Sequence, residues 1–304
     1  MVIYVLMMFT LFCDSANLSP FTTKQYRTDY EYNEHSDAFY KLHIETRSPE
    51  RAEQCCQVEG AELMLPKTLR DIEQVHGMLK KYPDLGDIVM IASDKQEHDP
   101  VDEPALVNLE PEPKTHGSDC EVITRAGGIA TNPCWRYAPF ICKVEARAAI
   151  YDDQCGVYGK DYISRISTTG SCYKIPSVSF TWNEAFAECA AEGAHLVVLN
   201  SQGEHEVVRD LLNSGQLPAG LTSSYFFFAG IRADRPKDGA SRVFRTVLNQ
   251  TLEEAGYAEW SENEPNNYQH SEFCGSIFKT DGKYNDLACF GRYGFICEKE
   301  MRTV

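Results

Sequence analysis

The sequence predicts an α+β protein in which one unit occurs twice. Three observations predict it: a long internal register between two halves, helix-start signatures, and cysteines that recur at matching places. At an offset of 133, Tyr40-Lys41-Leu42 matches Tyr173-Lys174-Ile175, Ala52 and Cys56 match Ala185 and Cys189, and Glu59-Gly60-Ala61 matches Glu192-Gly193-Ala194. The offset becomes 154 at Cys120 and Cys274, then 155 at Cys134 and Cys289 and at Phe140-Ile141-Cys142 and Phe295-Ile296-Cys297. The growth places about 21 extra residues in the second copy, ahead of Cys274.

Within the unit, Tyr173-Lys174-Ile175 reads as a short strand. Thr181-Trp182-Asn183-Glu184 has the form of a capping box, in which Thr and Glu satisfy each other's free backbone N–H groups. Ala185, Cys189 and Ala190 then ride a helix that ends near Gly193. Ser201-Gln202-Gly203-Glu204 opens a second helix with the same signature. Tyr225 to Ile231 has β character. Residues 232–270, rich in Pro, Asn, Asp and Gly, predict a long irregular loop, and such loops are usually functional or disordered. Tyr293 to Cys297 reads as a closing strand.

The chain has 304 residues and a net charge of −16, which suits two domains and argues against nucleic acid, whose phosphates need Lys and Arg. Val2 to Cys13 is a nearly continuous apolar run, short for a membrane span. With Ser15 and Ala16 following, it reads as a signal peptide over residues 1–16, although no Lys or Arg precedes Lys24. The expected organisation is signal 1–16, a first copy over 17–147 and a second over 148–304. Twelve cysteines, with no CxxC pair, point to disulfides in an oxidising, extracellular compartment and to a secreted protein without a membrane anchor.

A cysteine on the first helix and one on the last strand would tie a unit's ends together. We therefore expect Cys189–Cys297 and Cys274–Cys289, and by the repeat Cys56–Cys142 and Cys120–Cys134. Cys155 and Cys172, flanking a hairpin, are left for each other. Spacing alone does not determine connectivity; the repeat makes this set self-consistent. Cys55 remains unpaired, with an intermolecular bridge or an exchange with Cys56 for Cys142 as alternatives. Asn249-Gln250-Thr251 is an N-glycosylation sequon.

The densest chemistry lies at Glu264-Pro265-Asn266, Glu272 and Asn285-Asp286. Carboxylates and amides are the ligands a hard cation such as Ca²⁺ prefers. A carboxylate only accepts hydrogen bonds whereas an amide NH₂ donates them, so such pairs can also grip neighbouring sugar hydroxyls.

These residues, with Cys189, Cys274, Cys289 and Cys297 in order and Phe228-Ala229-Gly230-Ile231 as a weak central-strand motif, resemble the C-type lectin-like domain. The resemblance is strong over 155–299 and weaker over about 38–144. It implies an α+β fold of two tandem C-type lectin-like domains, each with two helices, small antiparallel sheets, a long irregular loop and disulfides. Tandem secreted copies are similar to the insect immulectins, lectins of innate immunity. The resemblance also implies that Glu264, Asn266, Glu272, Asn285 and Asp286 hold one Ca²⁺, with the Asp286 carbonyl completing the shell. Pro265 would follow a cis peptide bond. Two vicinal sugar hydroxyls would bind the same ion, and Glu-then-Asn order implies mannose, N-acetylglucosamine or fucose. Expected partners are therefore mannose-type glycans on microbial surfaces, such as lipopolysaccharide or mannan. Tyr284 stands where the family usually has Trp, and Phe273, which cannot ligate, argues against a complete auxiliary metal site.

In the first copy the cluster becomes Glu110-Pro111-Glu112, Ser118 and Ala130-Thr131, and Phe39 replaces Cys172. That copy is expected to be structural or protein-binding. A single working copy would gain avidity from homo-oligomers. The competing reading is a lectin-like protein that binds a protein or lipid partner without sugar or calcium. An enzyme is not expected, since His195, His205 and His270 are scattered and no HExxH or GxSxG motif occurs.

Overall fold

Thr181 opens the helix Trp182–Ala191 through a complete capping box with Glu184. That helix buries Trp182, Ala185 and Cys189, and the Trp182 indole N–H donates to the Ala229 carbonyl at 2.9 Å. The computed structural model describes residues 24–92, 119–234 and 242–301. The expected signal peptide 1–16, Glu110-Pro111-Glu112 and Ser118 lie outside the described residues.

The second helix, Gln202–Ser214, starts at Ser201, whose hydroxyl accepts from the Glu204 N–H. The reciprocal half of the expected box is absent. Glu204 instead accepts from the Asn200 N–H at 2.8 Å and from the Tyr173 hydroxyl. Its carboxylate is drawn into the core by that phenol.

The strand Phe226–Ala233 is the buried spine of the second half. It pairs antiparallel with Phe244–Thr246 and with Glu272–Phe278, and the latter pairs with Tyr284–Ala288. The closing segment is two strands, not one. Gly294–Phe295 runs parallel to the spine, and Cys297–Glu300 joins a separate sheet with Ser171–Lys174 and His195–Leu196. The chain crosses from one sheet to the other at Ile296, which is fully buried in the core between them. The described residues 242–270 are also more ordered than their composition predicts: they contain the strand Phe244–Thr246 and the one-turn helix Leu252–Ala255, capped by Thr251 and Glu254. Asn249 sits on an exposed turn between them, with a left-handed φ of 65°.

The first half repeats the order of helix, short strand and helix with Pro49–Val58, Glu62–Leu63 and Leu69–Lys80. Its strands form one seven-stranded sheet rather than small antiparallel ones. The continuous strand Ala138–Glu145 spans both roles that Ile296 separates in the second half, and it pairs parallel to Ile88–Met90 at Met90 and Phe140.

Among the described residues, five disulfides join Cys56–Cys142, Cys120–Cys134, Cys155–Cys172, Cys189–Cys297 and Cys274–Cys289. Cys155 does not flank one hairpin with Cys172. It lies in the turn between Tyr151–Asp152 and Val157–Tyr158, and the bridge ties that turn to the strand Ser171–Lys174. Cys55 is unpaired and buried, and burial pushes its thiol up to about 11. It is therefore a poor nucleophile in a covered position, which leaves no open route to an intermolecular bridge.

Arg27 clamps the two halves together. Its guanidinium holds Glu188 in a fork, Nη1 to Oε1 at 2.6 Å and Nη2 to Oε2 at 2.8 Å. It also reaches Glu192 at 3.0 Å and Glu59 at 3.7 Å. Lys174 donates to Glu192 at 2.7 Å and across the junction to the Val58 carbonyl at 2.9 Å. Thr28 N–H adds a backbone bond to the Ala191 carbonyl at 3.0 Å.

Inside the second half, Glu204 and Glu298 face each other, both fully buried. Tyr173 and Tyr284 close the same space, and His195 stands 3.9 Å from Glu298. Burial, then the charge of Glu298, pushes Glu204 up to about 8, and burial raises Glu298 as well. A carboxyl whose folded pKa lies above its unfolded value binds a proton more tightly when folded. Its stabilisation is fully present below the unfolded pKa near 4.5 and is lost as pH rises toward 8. The Glu204→Gln variant should therefore melt a few degrees higher than wild type at pH 8.5, with the difference shrinking toward pH 5. Thermal melts across this range that run parallel for the two proteins would contradict it.

Candidate functional site

Five predicted ligand residues come from three segments, and the strand pairing brings them to one end of a sheet. Glu272–Phe278 and Tyr284–Ala288 run antiparallel, with Gly275 opposite Asp286 and Ser276 opposite Asn285. A bulge at Phe273 shifts the register between Glu272 and Cys274. Such an extra residue re-aims its neighbour's side chain, and here Glu272 turns back to accept from the Tyr268 N–H at 2.7 Å. Gly275 is needed for close packing, because a Cβ there would lie 1.9 Å from Ile231 Cγ1.

Asp286 is the hub. Its carboxylate is buried and accepts from the backbone N–H of Asn266 on Oδ1 and of Asn267 on Oδ2, both at 3.0 Å. These two bonds pin the loop carrying Glu264-Pro265-Asn266 against the sheet. The Glu264–Pro265 peptide bond is cis. Glu264 and Asn266 bond each other directly, Asn266 Nδ2 donating to Glu264 Oε1 at 2.8 Å. Asn267 is structural: its Oδ1 accepts from the Glu272 N–H at 3.3 Å.

Asn285 is buried, and its Nδ2 donates to the Asp286 carbonyl at 2.6 Å and to Ser276 Oγ at 3.2 Å. The Asp286 carbonyl that the resemblance assigns to a metal therefore serves as an acceptor for Asn285. Tyr284 is fully buried; its hydroxyl accepts from the Leu199 N–H at 2.9 Å, and its ring packs against Trp260 and Tyr257.

Electrostatically the cluster is short of positive charge. Burial, then the contact with Asp286, pushes Glu264 up to about 7. Burial and the Asp286 charge also raise Glu272. The donors are all oxygens. Three carboxylates with two amides beside them are the donor types that a hard divalent cation such as Ca²⁺ takes.

Sequence reasoning missed one member of the site. Arg242 donates to Asp286 Oδ2 at 2.5 Å and to the Glu272 carbonyl, and it lies over the Phe244 ring at 5.4 Å. A lone arginine in a loop, 44 residues from its partner, leaves no pattern that spacing could find. In the first half, Ala130 and Thr131 occupy the strand Ile129–Pro133 as expected from the register, with Thr131 exposed and no carboxylate at either position.

Residues 178–299 match the family model described as the lectin C-type domain. They form one C-type lectin domain. The chain is 34% identical over 130 residues to the hemolymph lipopolysaccharide-binding protein of Periplaneta americana, covering 42% of this chain and 49% of that one. It is 27% identical over 161 residues to lectin subunit alpha of Sarcophaga peregrina, covering 52% and 51%. The chain thus spans about half the length of these curated relatives. Among solved structures, the mouse scavenger receptor C-type lectin carbohydrate-recognition domain aligns over 47% of this chain and 97% of its own, with 21% identity and a TM-score of 0.37. The predicted ligand residues, from Glu264 to Asp286, fall within the matched residues. No helix among the described residues is long and apolar enough to cross a membrane.

Proposed function

We propose that this protein is a secreted, calcium-dependent lectin whose second domain, residues 148–304, binds mannose-type glycans on microbial surfaces as part of innate immune recognition. The observation that carries the reading is the buried Asp286 carboxylate, which pins the loop bearing Glu264 and Asn266 against the strands that carry Glu272 and Asn285. Those five residues would hold Ca²⁺, which would in turn take two vicinal sugar hydroxyls. The chain's own part is to pre-organise the donors. Asp286 pins the loop, and Tyr284 anchors the strand from below. Glu264 and Asn266 present an acceptor and a donor side by side.

Similarity to a hemolymph lipopolysaccharide-binding protein and to an insect lectin subunit supports a role in glycan binding in the extracellular fluid. Binding, not catalysis, is the function. The first domain, residues 17–147, serves as a structural or protein-binding copy, clamped to the second through Arg27. A second reading, a calcium- and sugar-independent binder, is favoured by one observation: Arg242 already supplies a cation to Asp286.

The test is retention of the mature protein on immobilised mannose and galactose, in Ca²⁺ and then in EDTA. Retention on mannose that EDTA releases, and a shift toward galactose in the Glu264→Gln, Asn266→Asp variant, is the expected outcome. Retention that survives EDTA, or none on either resin, would favour the second reading.

A further inference from the structure

We propose that Arg242 is a tethered counter-cation that holds the carboxylate cluster together in the metal-free protein and competes with Ca²⁺ for Asp286. The inference rests on the calcium reading of the site. Asp286 has little acceptor capacity to spare. Oδ1 takes the Asn266 N–H, and Oδ2 takes both the Asn267 N–H and the Arg242 guanidinium. Among the described residues, Arg242 is the one Lys or Arg that forms an ion pair with Glu264, Glu272 or Asp286. Its side chain is largely buried, as is that of Asp286, so the pair is shielded from salt and solvent.

A Ca²⁺ ion bonds carboxylate oxygens at about 2.3–2.6 Å. It could not share Asp286 with a guanidinium already 2.5 Å from Oδ2 without placing two cations in near contact. Metal uptake therefore requires the arginine to leave. Its second anchor, the carbonyl of Glu272, belongs to another residue of the cluster, so one displacement frees both. Phe244 offers its ring face beneath the guanidinium, a resting surface that needs no carboxylate. Calcium affinity in this protein is thus a difference, set by the metal's hold on the cluster against the arginine's.

The test is calcium titration calorimetry on the full chain, stripped with EDTA and dialysed, for wild type, Arg242→Gln and Arg242→Lys. Arg242→Gln should bind CaCl₂ about tenfold more tightly than wild type, the size expected for losing a charge-assisted hydrogen bond. Arg242→Lys should fall between them. In wild type, NMR of arginine-labelled protein should show one guanidinium N–H signal that is protected in EDTA and moves on addition of stoichiometric Ca²⁺. That measurement decides the matter even if the variants fold poorly. Equal or weaker calcium binding by Arg242→Gln, or a guanidinium signal indifferent to calcium, overturns the competition and leaves the calcium site standing. Calcium binding by neither wild type nor variant overturns the calcium reading and this inference together.

Discussion

Asp286→Asn is expected to abolish calcium-dependent retention on mannose while leaving the two halves folded. Asp286 is the one carboxylate of the cluster that is fully buried, and it makes the contacts that order the rest. Asparagine is nearly isosteric but neutral, and it replaces one acceptor oxygen by a donor NH₂. Facing the Asn267 N–H and the Arg242 guanidinium, that NH₂ would set donor against donor. Calcium affinity should drop by about two orders of magnitude, from lost charge and from a loosened loop together. Stability without metal should fall by about 1–3 kcal/mol, because Arg242 is left without its carboxylate. Calorimetry and urea unfolding in EDTA measure the two effects separately. A variant that still elutes from mannose only with EDTA would show that Asp286 is not the hub.

The features legible in the sequence are those written locally or written twice. Thr181 and Glu184 lie three residues apart, and their reciprocal bonds are a property of one helix turn. The repeat supplied a second witness for the cysteines. The Cys189–Cys297 and Cys56–Cys142 bridges, which spacing alone leaves open, sit at matching places in the two halves. Glu264, Asn266, Glu272, Asn285 and Asp286 are close in sequence, and the strand pairing draws them together. What stayed hidden depends on partners far away. Glu204 leaves the reciprocal capping bond for the Asn200 N–H and for Tyr173, a residue on a distant strand. The break at Ile296 follows from two sheets competing for one segment, which an apolar run cannot announce. Order in residues 242–256 comes from pairing with the spine strand and from the Thr251 cap, not from composition. Arg242 and Arg27 are single charged residues whose meaning lies wholly in what the fold sets opposite them.

Arg27→Met should cost about 3–5 kcal/mol, the usual penalty for removing one partner of a buried ion pair. The loss goes well beyond a single contact. Arg27 and Glu188 are both buried, and Glu59 and Glu192 face the same guanidinium. Methionine fills much of the volume but returns no charge, so Asp29, Glu59, Glu188 and Glu192 would share what Lys41 and Lys174 supply. Burial disfavours the free guanidinium, yet Glu188 and Glu59 outweigh it and raise the Arg27 pKa, so the pair stays ionised. Because Glu188 belongs to the second half and Arg27 to the segment leading into the first, the loss should appear as uncoupling. Urea unfolding of the variant is expected to split into two transitions where wild type shows one. The double variant Arg27→Met, Glu188→Met should recover part of the loss, since removing both partners leaves no unpaired charge between them. Calcium-dependent sugar retention should survive in both variants, because the ligand cluster draws none of its bonds from Arg27. A single transition with unchanged midpoint in Arg27→Met would mean that the apolar contacts around Tyr30, Phe39 and Trp182 hold the halves together without the clamp.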